Sequence, residues 1–381
     1  MLQIQSAIVY YGLLFVMVIL GKKAAIMNNW KYCVWAILIY ASVLGLRFGV
    51  GTDFFTYKEV YEIYLTYGFR AYELYDEFEI GFSALMALMG WAKFPAPLFF
   101  GIIAFIQLYF LALIFKDDKK MLPWLFFAFI TSGLFLSYAN IIRSCIAISI
   151  GLYSFKYIVQ KKPLIHYGLL LLAASMHLSI LVLVIFYPIF RWKQDWLHNR
   201  ALQFALLVTA LVVMKINVIQ DVITRIDALS VLFGYDNYLT DDRMDQKVGL
   251  GLGFIIELIV SLLIIWQSND MKKYYKNKYF DIVYSIFIVG LIFHYIFINS
   301  MLLMRVVGIA YYSFVIVYAY MLYFLREKKK HLFYVTCSLL LLLLLSPVIS
   351  DINSANSFVF IWQDDWCRLK DSYLNPMKIF L

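Results

Sequence analysis

Long apolar runs separated by short polar, mostly basic stretches set the pattern of this chain from end to end. Apolar runs of roughly 18 or more residues mark helices that cross a bilayer. The pattern predicts crossings over Ile4–Leu20, Tyr32–Leu46, Leu98–Phe115, Met121–Ser137, Cys145–Val159, Leu202–Ile219, Leu250–Trp266, Ile282–Phe297, Leu302–Leu325 and Leu332–Val348. The expected fold class is therefore all-α, a polytopic integral membrane protein with about ten to twelve transmembrane helices and one membrane domain over 1–381. Three stretches depart from the simple crossing. Ile80–Trp91 is apolar but only about twelve residues long, short of a ~20-residue span, and reads as a re-entrant or interfacial segment. Tyr57, Tyr61, Tyr64 and Leu65 recur at helical spacing, which predicts a helix in the interface with its tyrosines toward the membrane. Leu164–Phe190 carries the polar run Ser175-Met176-His177-Leu178-Ser179 at its middle and basic residues at both ends. A broken helix or hairpin with its tip near His177 satisfies those charges; one long tilted helix is the alternative.

Composition and charge sharpen this picture. Of 381 residues, 64% are hydrophobic and 15% charged, which excludes a set of soluble domains. The net charge of +9 is spread over short loops between spans, the mark of membrane orientation and not of a nucleic-acid footprint. The basic loops (Lys22, Lys23, Lys31; Lys116, Lys119, Lys120; Lys161, Lys162; Lys272, Lys273, Lys276, Lys278; Arg326, Lys328, Lys329, Lys330) are expected in the cytoplasm. That leaves three outer segments: a loop over 47–97, a second over 220–249, and a tail over 350–381. Ile4–Leu20 has no basic region before it and no small-residue cleavage pattern after it, so it reads as a retained span. Cys33, Cys145, Cys337 and Cys367 are scattered, which suggests neither a disulfide framework nor a metal site. The 30 Tyr and 33 Phe suit interfacial belts and the stacking of ring-shaped ligands.

On this topology Arg47, Arg143 and Arg305 all fall near the outer face, each at the end of an apolar run. Three guanidinium forks on one side suit a shared anion such as a phosphate. Snorkelling to lipid phosphates is the plainer reading of each one alone. Arg47 opens the run Arg47-Phe48-Gly49-Val50-Gly51-Thr52-Asp53, where a cation, flexible glycines and a carboxylate follow one another. Asp53 and Glu79 are candidate proton acceptors for a sugar hydroxyl, or solvated acids, or partners for arginine. His177 is a candidate base or a hydrogen-bonded structural residue. His294 reads as structural, and the role of Glu257, alone in an apolar span, is open. No Walker loop, nucleotide-binding glycine fingerprint, serine elbow or zinc helix occurs, and Asp241-Asp242 lacks the ligand spacing of a built metal site, with a two-carboxylate Mg²⁺ site the alternative reading.

These residues carry a resemblance. Arg47-Phe-Gly-Val-Gly-Thr-Asp53-x-x-x-Tyr57 resembles the signature of the EpsG-type, Wzy-like polysaccharide polymerases, the family of O-antigen polymerases. Glu79-Ile-Gly81-Phe82, Tyr138-x-Asn140-x-x-Arg143, His177-Leu-Ser179, and Arg305 with Tyr311 and Tyr312 are similar to its later elements, in the same order. Ser144 stands after Arg143 where glutamine is frequent in the family, and Leu181 stands near the histidine in place of alanine. The resemblance implies a GT-C-like glycosyltransferase in the bacterial inner (plasma) membrane, with its site facing outside. It would join undecaprenyl-diphosphate-linked oligosaccharide donor and acceptor and release undecaprenyl diphosphate. Membrane lipid surrounds it, a chain-length regulator protein is a possible partner, and neither nucleic acid nor a cofactor or metal is required. Arg47, Arg143 and Arg305 would hold the diphosphate; His177, Asp53 or Glu79 would serve catalysis; Tyr57, Tyr138, Asn140 and Arg243 would contact substrate. The rival readings are an O-antigen ligase, which uses the same donor, and a lipid-linked oligosaccharide flippase or transporter. A transporter should carry charges near mid-membrane and often an internal repeat. An acyltransferase would need a nucleophile and base, for which there is no convincing pair.

Overall fold

In lipid every backbone N–H and C=O must find a partner within the chain, so apolar runs of this length are confined to helix. The computed structural model describes residues 2–192, 197, 199–216, 251–300, 303–304, 308–349 and 355–374, and these are all-α but for one pair of two-residue strands. In chain order the helices are α1 (Leu2–Ile26), α2 (Lys31–Gly45), α3 (Phe54–Tyr67), α4 (Ile80–Trp91), α5 (Ala96–Leu113), α6 (Leu122–Thr131), α7 (Leu134–Asn140), α8 (Ile142–Val159), α9 (Pro163–Met176), α10 (Phe186–Trp192) and α11 (Arg200–Ile216). They continue with α12 (Leu252–Tyr275), α13 (Lys278–Phe297), α14 (Phe314–Lys328), α15 (Lys330–Val348) and α16 (Asp364–Leu374). Strands β1 (Arg47–Phe48) and β2 (Val359–Phe360) pair antiparallel. Arg243, Arg305 and the second outer loop over 220–249 lie outside the described residues.

Seven described helices are long and apolar enough to cross a membrane, and an eighth counts if α6 and α7, bent by 68°, are taken as one span. The count from sequence is higher because it includes shorter runs. Helix α2 has 15 residues and α11 has 17. At 1.5 Å per residue these reach about 22–26 Å, short of a hydrocarbon layer of about 30 Å. The segment Gly308–Lys328 is the most enclosed of the spans and α15 among the least.

Two irregular stretches have the lengths and the break that the sequence marks. The short apolar run forms α4 over the same residues, Ile80–Trp91. The long run 164–190 is broken at His177, where the backbone turns extended (φ −160°, ψ 117°) between α9 and a 3-10 segment, Leu178–Ile185. A third expectation is corrected. Tyr57, Tyr61 and Tyr64 do not face the membrane; all three are buried. Tyr61 stacks on Phe99 with ring centroids 4.1 Å apart and donates to the Phe94 carbonyl at 2.7 Å. The helical spacing marks one face, but that face packs inward, where Tyr61 and Tyr64 donate to the carbonyls of Phe94 and Tyr75 and Tyr57 accepts from Arg143.

The segment after α15 folds back over the start of the chain. Residues 359–360 pair with 47–48, in register Arg47 with Phe360 and Phe48 with Val359. The Gly51 N–H donates to Ala355 O at 2.9 Å. Lys370 on α16 is fully buried, and its Nζ donates to Gly49 O at 2.8 Å and to Ser357 O.

Candidate active site

The break at His177 matters because of what it meets. Glu79 caps the start of α4 from a non-helical conformation (φ −59°, ψ 145°), which turns its side chain toward the end of α9. Its Oε1 accepts from His177 Nδ1 at 2.8 Å and from the Leu178 N–H at 3.1 Å. Its Oε2 pairs with Arg143 Nη1. Arg143 stands in the first turn of α8, lies over the Phe78 ring at 4.1 Å, and donates through Nε to the Tyr57 hydroxyl at 3.5 Å. A carboxylate, a guanidinium, an imidazole and a phenol from four elements thus meet at one point. The side chains of Arg143, Glu79 and His177 are 19%, 22% and 16% exposed, so the cluster is sheltered but not closed off.

Gly81 lets this happen. A Cβ there would run into the Oγ and backbone oxygen of Ser175, so only glycine allows α4 to lie against the last turn of α9. Glu79 lies two residues before that contact, and His177 two residues after the Ser175 it meets. The acidic-glycine spacing is therefore a packing requirement that sets the distance between carboxylate and imidazole.

The electrostatics define each group's part. Burial works against ionisation of Glu79, but the His177 hydrogen bond and the Arg143 charge outweigh it and hold the carboxyl down at about 2. A carboxylate so low and so fully bonded is a weak proton acceptor at neutral pH. With Nδ1 donating to Glu79, the His177 ring presents Nε2 as the acceptor, and Nε2 makes no hydrogen bond among the described residues. Arg143 likewise spends Nε and Nη1 on the protein, and its Nη2 has no protein acceptor among the described residues.

Asn140 ties this cluster to the signature run. Its Oδ1 accepts from the Asp53 N–H at 2.9 Å and from the Thr52 hydroxyl at 3.2 Å. Gly51 has φ +93°, and a Cβ there would press on Asn140 at 2.9 Å, so the close approach needs glycine twice over. Thr52 also donates to Asp53 Oδ1 at 3.1 Å. Asp53 thus sits at the head of α3, one turn before Tyr57.

Two residues singled out from sequence have surroundings different from those expected. Arg47 is 1% exposed. Its guanidinium donates to Leu44 O at 2.6 Å, Ala139 O at 2.8 Å and Val50 O at 3.4 Å, and lies over the Phe100 ring at 4.7 Å. Burial lowers its pKa to about 10. It does not join Arg143. Tyr138 is buried too, its hydroxyl bonded to Ser149 at 2.8 Å and its ring edge-on to Phe129. Sequence reasoning did not find Phe78 or Lys370. Phe78 adjoins Glu79 and could have been found as the aromatic neighbour of a charged motif; Lys370 had no such signal. Among the described residues no group of three His, Cys, Asp or Glu side chains could hold a metal ion.

Fold and site together define a polytopic all-α membrane protein with an arginine–carboxylate–histidine cluster at helix ends. The chain belongs to the EpsG family, whose family model matches residues 30–361. Membership points to polysaccharide biosynthesis and a polymerase-like function. Neither a curated protein nor a solved structure matches the chain significantly.

Proposed function

We propose that this protein is a glycosyltransferase that polymerises lipid-linked oligosaccharide repeat units, in the bacterial plasma membrane with its site open to the outside. The observation that carries the reading is the single cluster of Arg143, Glu79 and His177. The donor is a glycan on undecaprenyl diphosphate, and the acceptor is a hydroxyl of a second repeat unit. His177 Nε2 takes the proton from the acceptor hydroxyl, and Glu79 holds the ring in the tautomer that allows it and offsets the imidazolium that forms. The hydroxyl oxygen forms a bond to the anomeric carbon of the donor. The bond from that carbon to the diphosphate oxygen breaks, and its electron pair leaves with the diphosphate. Arg143 meets the charge developing there with its unspent Nη2 donors, as a point of electrostatic stabilisation. Tyr57 and Phe78 hold the guanidinium in place. Asp53 and Arg47 bond Asn140 and the Ala139 carbonyl in the turn that leads to Arg143, Tyr138 precedes that turn, and Arg305 and Arg243 are further candidates for substrate contact.

Reconstitution into liposomes with a purified lipid-linked repeat unit tests this. The expected product is a ladder of longer glycans with release of undecaprenyl diphosphate, lost in His177→Ala. Lipid flipping with no change in glycan length would overturn the enzyme reading, and transfer only to a lipid core would make the protein a ligase.

A further inference from the structure

Away from Glu79 a second polar cluster sits among apolar spans. Glu257 on α12 hydrogen-bonds the Tyr311 hydroxyl, and the Tyr311 ring stacks on His294 of α13 with centroids 4.1 Å apart and planes 18° from parallel. Glycine again sets the approach: a Cβ at Gly290, one turn before His294, would collide with the Ala310–Tyr311 backbone. The cluster lies toward helix ends. Glu257 is five residues into α12 and His294 three from the end of α13, about 8 Å and 5 Å along the axes. It is also close to the first site. The 3-10 segment Gly308–Ser313 that carries Tyr311 packs on the 3-10 segment Leu178–Ile185 that follows His177. Tyr312, beside Tyr311, lies against Ser137 and Cys145, near the Asn140 turn.

An ionisable residue within a span is costly and calls for a partner or a task. Among the described residues no lysine or arginine pairs with Glu257; its hydrogen bond is to the Tyr311 phenol. Tyr311 is buried, whereas Glu257 and His294 keep part of their surface open. His294 Nδ1 is enclosed without a partner among the described residues, so the cluster is short of one hydrogen bond. Among the described residues the cluster offers a carboxyl group and an imidazole with no lysine or arginine beside them, which suits O–H donors, and no group of three metal-ligating side chains exists there. What this chemistry accepts is a neutral donor of O–H groups. We propose that Glu257, His294 and Tyr311 form a second, hydroxyl-binding site that holds sugar hydroxyls of the acceptor glycan. Tyr311 fixes the carboxylate, and Glu257 and His294 contact the sugar. The assignment rests on the polymerase reading, and it divides the labour by charge. The Arg143 side takes the diphosphate of the donor, and the Glu257 side takes the neutral sugar end of the acceptor.

The test uses the full-length protein in liposomes, with saturating lipid-linked repeat unit as donor. The acceptor is the same repeat-unit oligosaccharide, cleaved from its lipid and labelled at its reducing end. Glu257→Gln and His294→Ala are expected to raise the acceptor KM at least fivefold, with donor KM within twofold of wild type. Tyr311→Phe, which removes one oxygen and keeps the ring stack, is expected to raise it by less. An acceptor KM within twofold of wild type in both Glu257→Gln and His294→Ala overturns the proposal. Saturation-transfer NMR of the labelled oligosaccharide, with no donor present, reads binding without turnover. Contact with wild type that is lost in Glu257→Gln and His294→Ala supports the site, and equal contact in all three overturns it. Binding by wild type without any ladder would sink the polymerase reading while leaving the sugar site standing.

Discussion

Two arginines that look alike in sequence have opposite surroundings, and substitution separates them. Arg143→Lys keeps the charge but loses the planar fork that joins Glu79 and Tyr57 and, on the proposed function, also meets the leaving diphosphate. Turnover is expected to fall by about a hundredfold or more, the scale of losing one transition-state donor, with little change in thermal midpoint. Arg47→Lys strands carbonyls of Leu44, Val50 and Ala139 that one ammonium cannot reach together, at about 1–3 kcal/mol for each buried group left unpaired. Its expected signature is a lower melting temperature and yield, seen by fluorescence-detected chromatography after heating. The reverse pattern would put the diphosphate at Arg47. Glu79 adds a pH dependence. Its folded pKa lies at about 2 against 4.5 for the free side chain, so its contribution is present above pH 4.5 and is lost as pH falls toward 2. The full contribution is about 3 kcal/mol at most. Acid unfolding followed by tryptophan fluorescence should lose its steep limb below pH 4.5 in Glu79→Gln. At this scale the sequence was informative at its polar boundaries: His177 stood out inside an apolar run, Arg143 at the end of one, and Glu79 at the edge of an acidic outer segment. It was silent on direction, because a guanidinium at a helix end can point to water or to carbonyls with the same neighbours in sequence.

Helix ends and breaks, more than helix middles, make the site. Glu79 precedes α4, His177 ends α9, and Arg143 begins α8, so each carries its group where backbone N–H and C=O are free to help position it. The Leu178 N–H that Glu79 accepts is one such freed group. The break at His177 was legible from its polar run and from basic flanks, because one crossing would strand charge on the wrong side. The inward face of α3 was not, since tyrosine suits an interface and a core equally well until its hydroxyl partner is known. Gly81→Ala tests how tightly the elements are held. The new Cβ meets Ser175 Oγ and also its backbone oxygen, so Ser175→Ala relieves only part of the clash. We expect a loss of about 1–3 kcal/mol in stability, the usual cost of overpacking. Activity should fall further than stability accounts for, because the Glu79–His177 distance opens, and Ser175→Ala should restore little of either. Full recovery in the double variant would show that the side chain alone sets the spacing.

The fold of the whole molecule is closed by its last described segment, which no local pattern announces. Lys370 reaches Gly49 from 321 residues away, and the strand pair joins Arg47 to Phe360. A two-residue strand has too little sequence to carry a signal, and a lysine on a polar helix ordinarily reads as solvated. Yet Lys370 is buried, and burial lowers its pKa to about 7 from 10.5. The unfolded or undocked segment therefore binds more protons than the docked one between those values, so docking strengthens as pH rises from about 7 toward 10.5. The neutral amine still has hydrogens for Gly49 O and Ser357 O, so the contact survives deprotonation. Gly49 belongs to the same short loop as Gly51 and Asn140's partners Thr52 and Asp53, and Asn140 is three residues from Arg143. A loosened tail is thus expected to reach the site through that loop. Limited proteolysis of 355–374 should be slower at pH 9 than at pH 6.5 when each rate is normalised to a peptide of the same segment. Lys370→Met, which keeps the stem and removes the titrating amine, should abolish that difference, with weaker docking at both values because the Gly49 and Ser357 carbonyls lose their donor. Lys370→Asp should release the tail at both and lower turnover with it. If Lys370→Asp frees the tail while turnover stays at the wild-type rate, the tail is a cover for the signature loop and not a support for the arginine behind it.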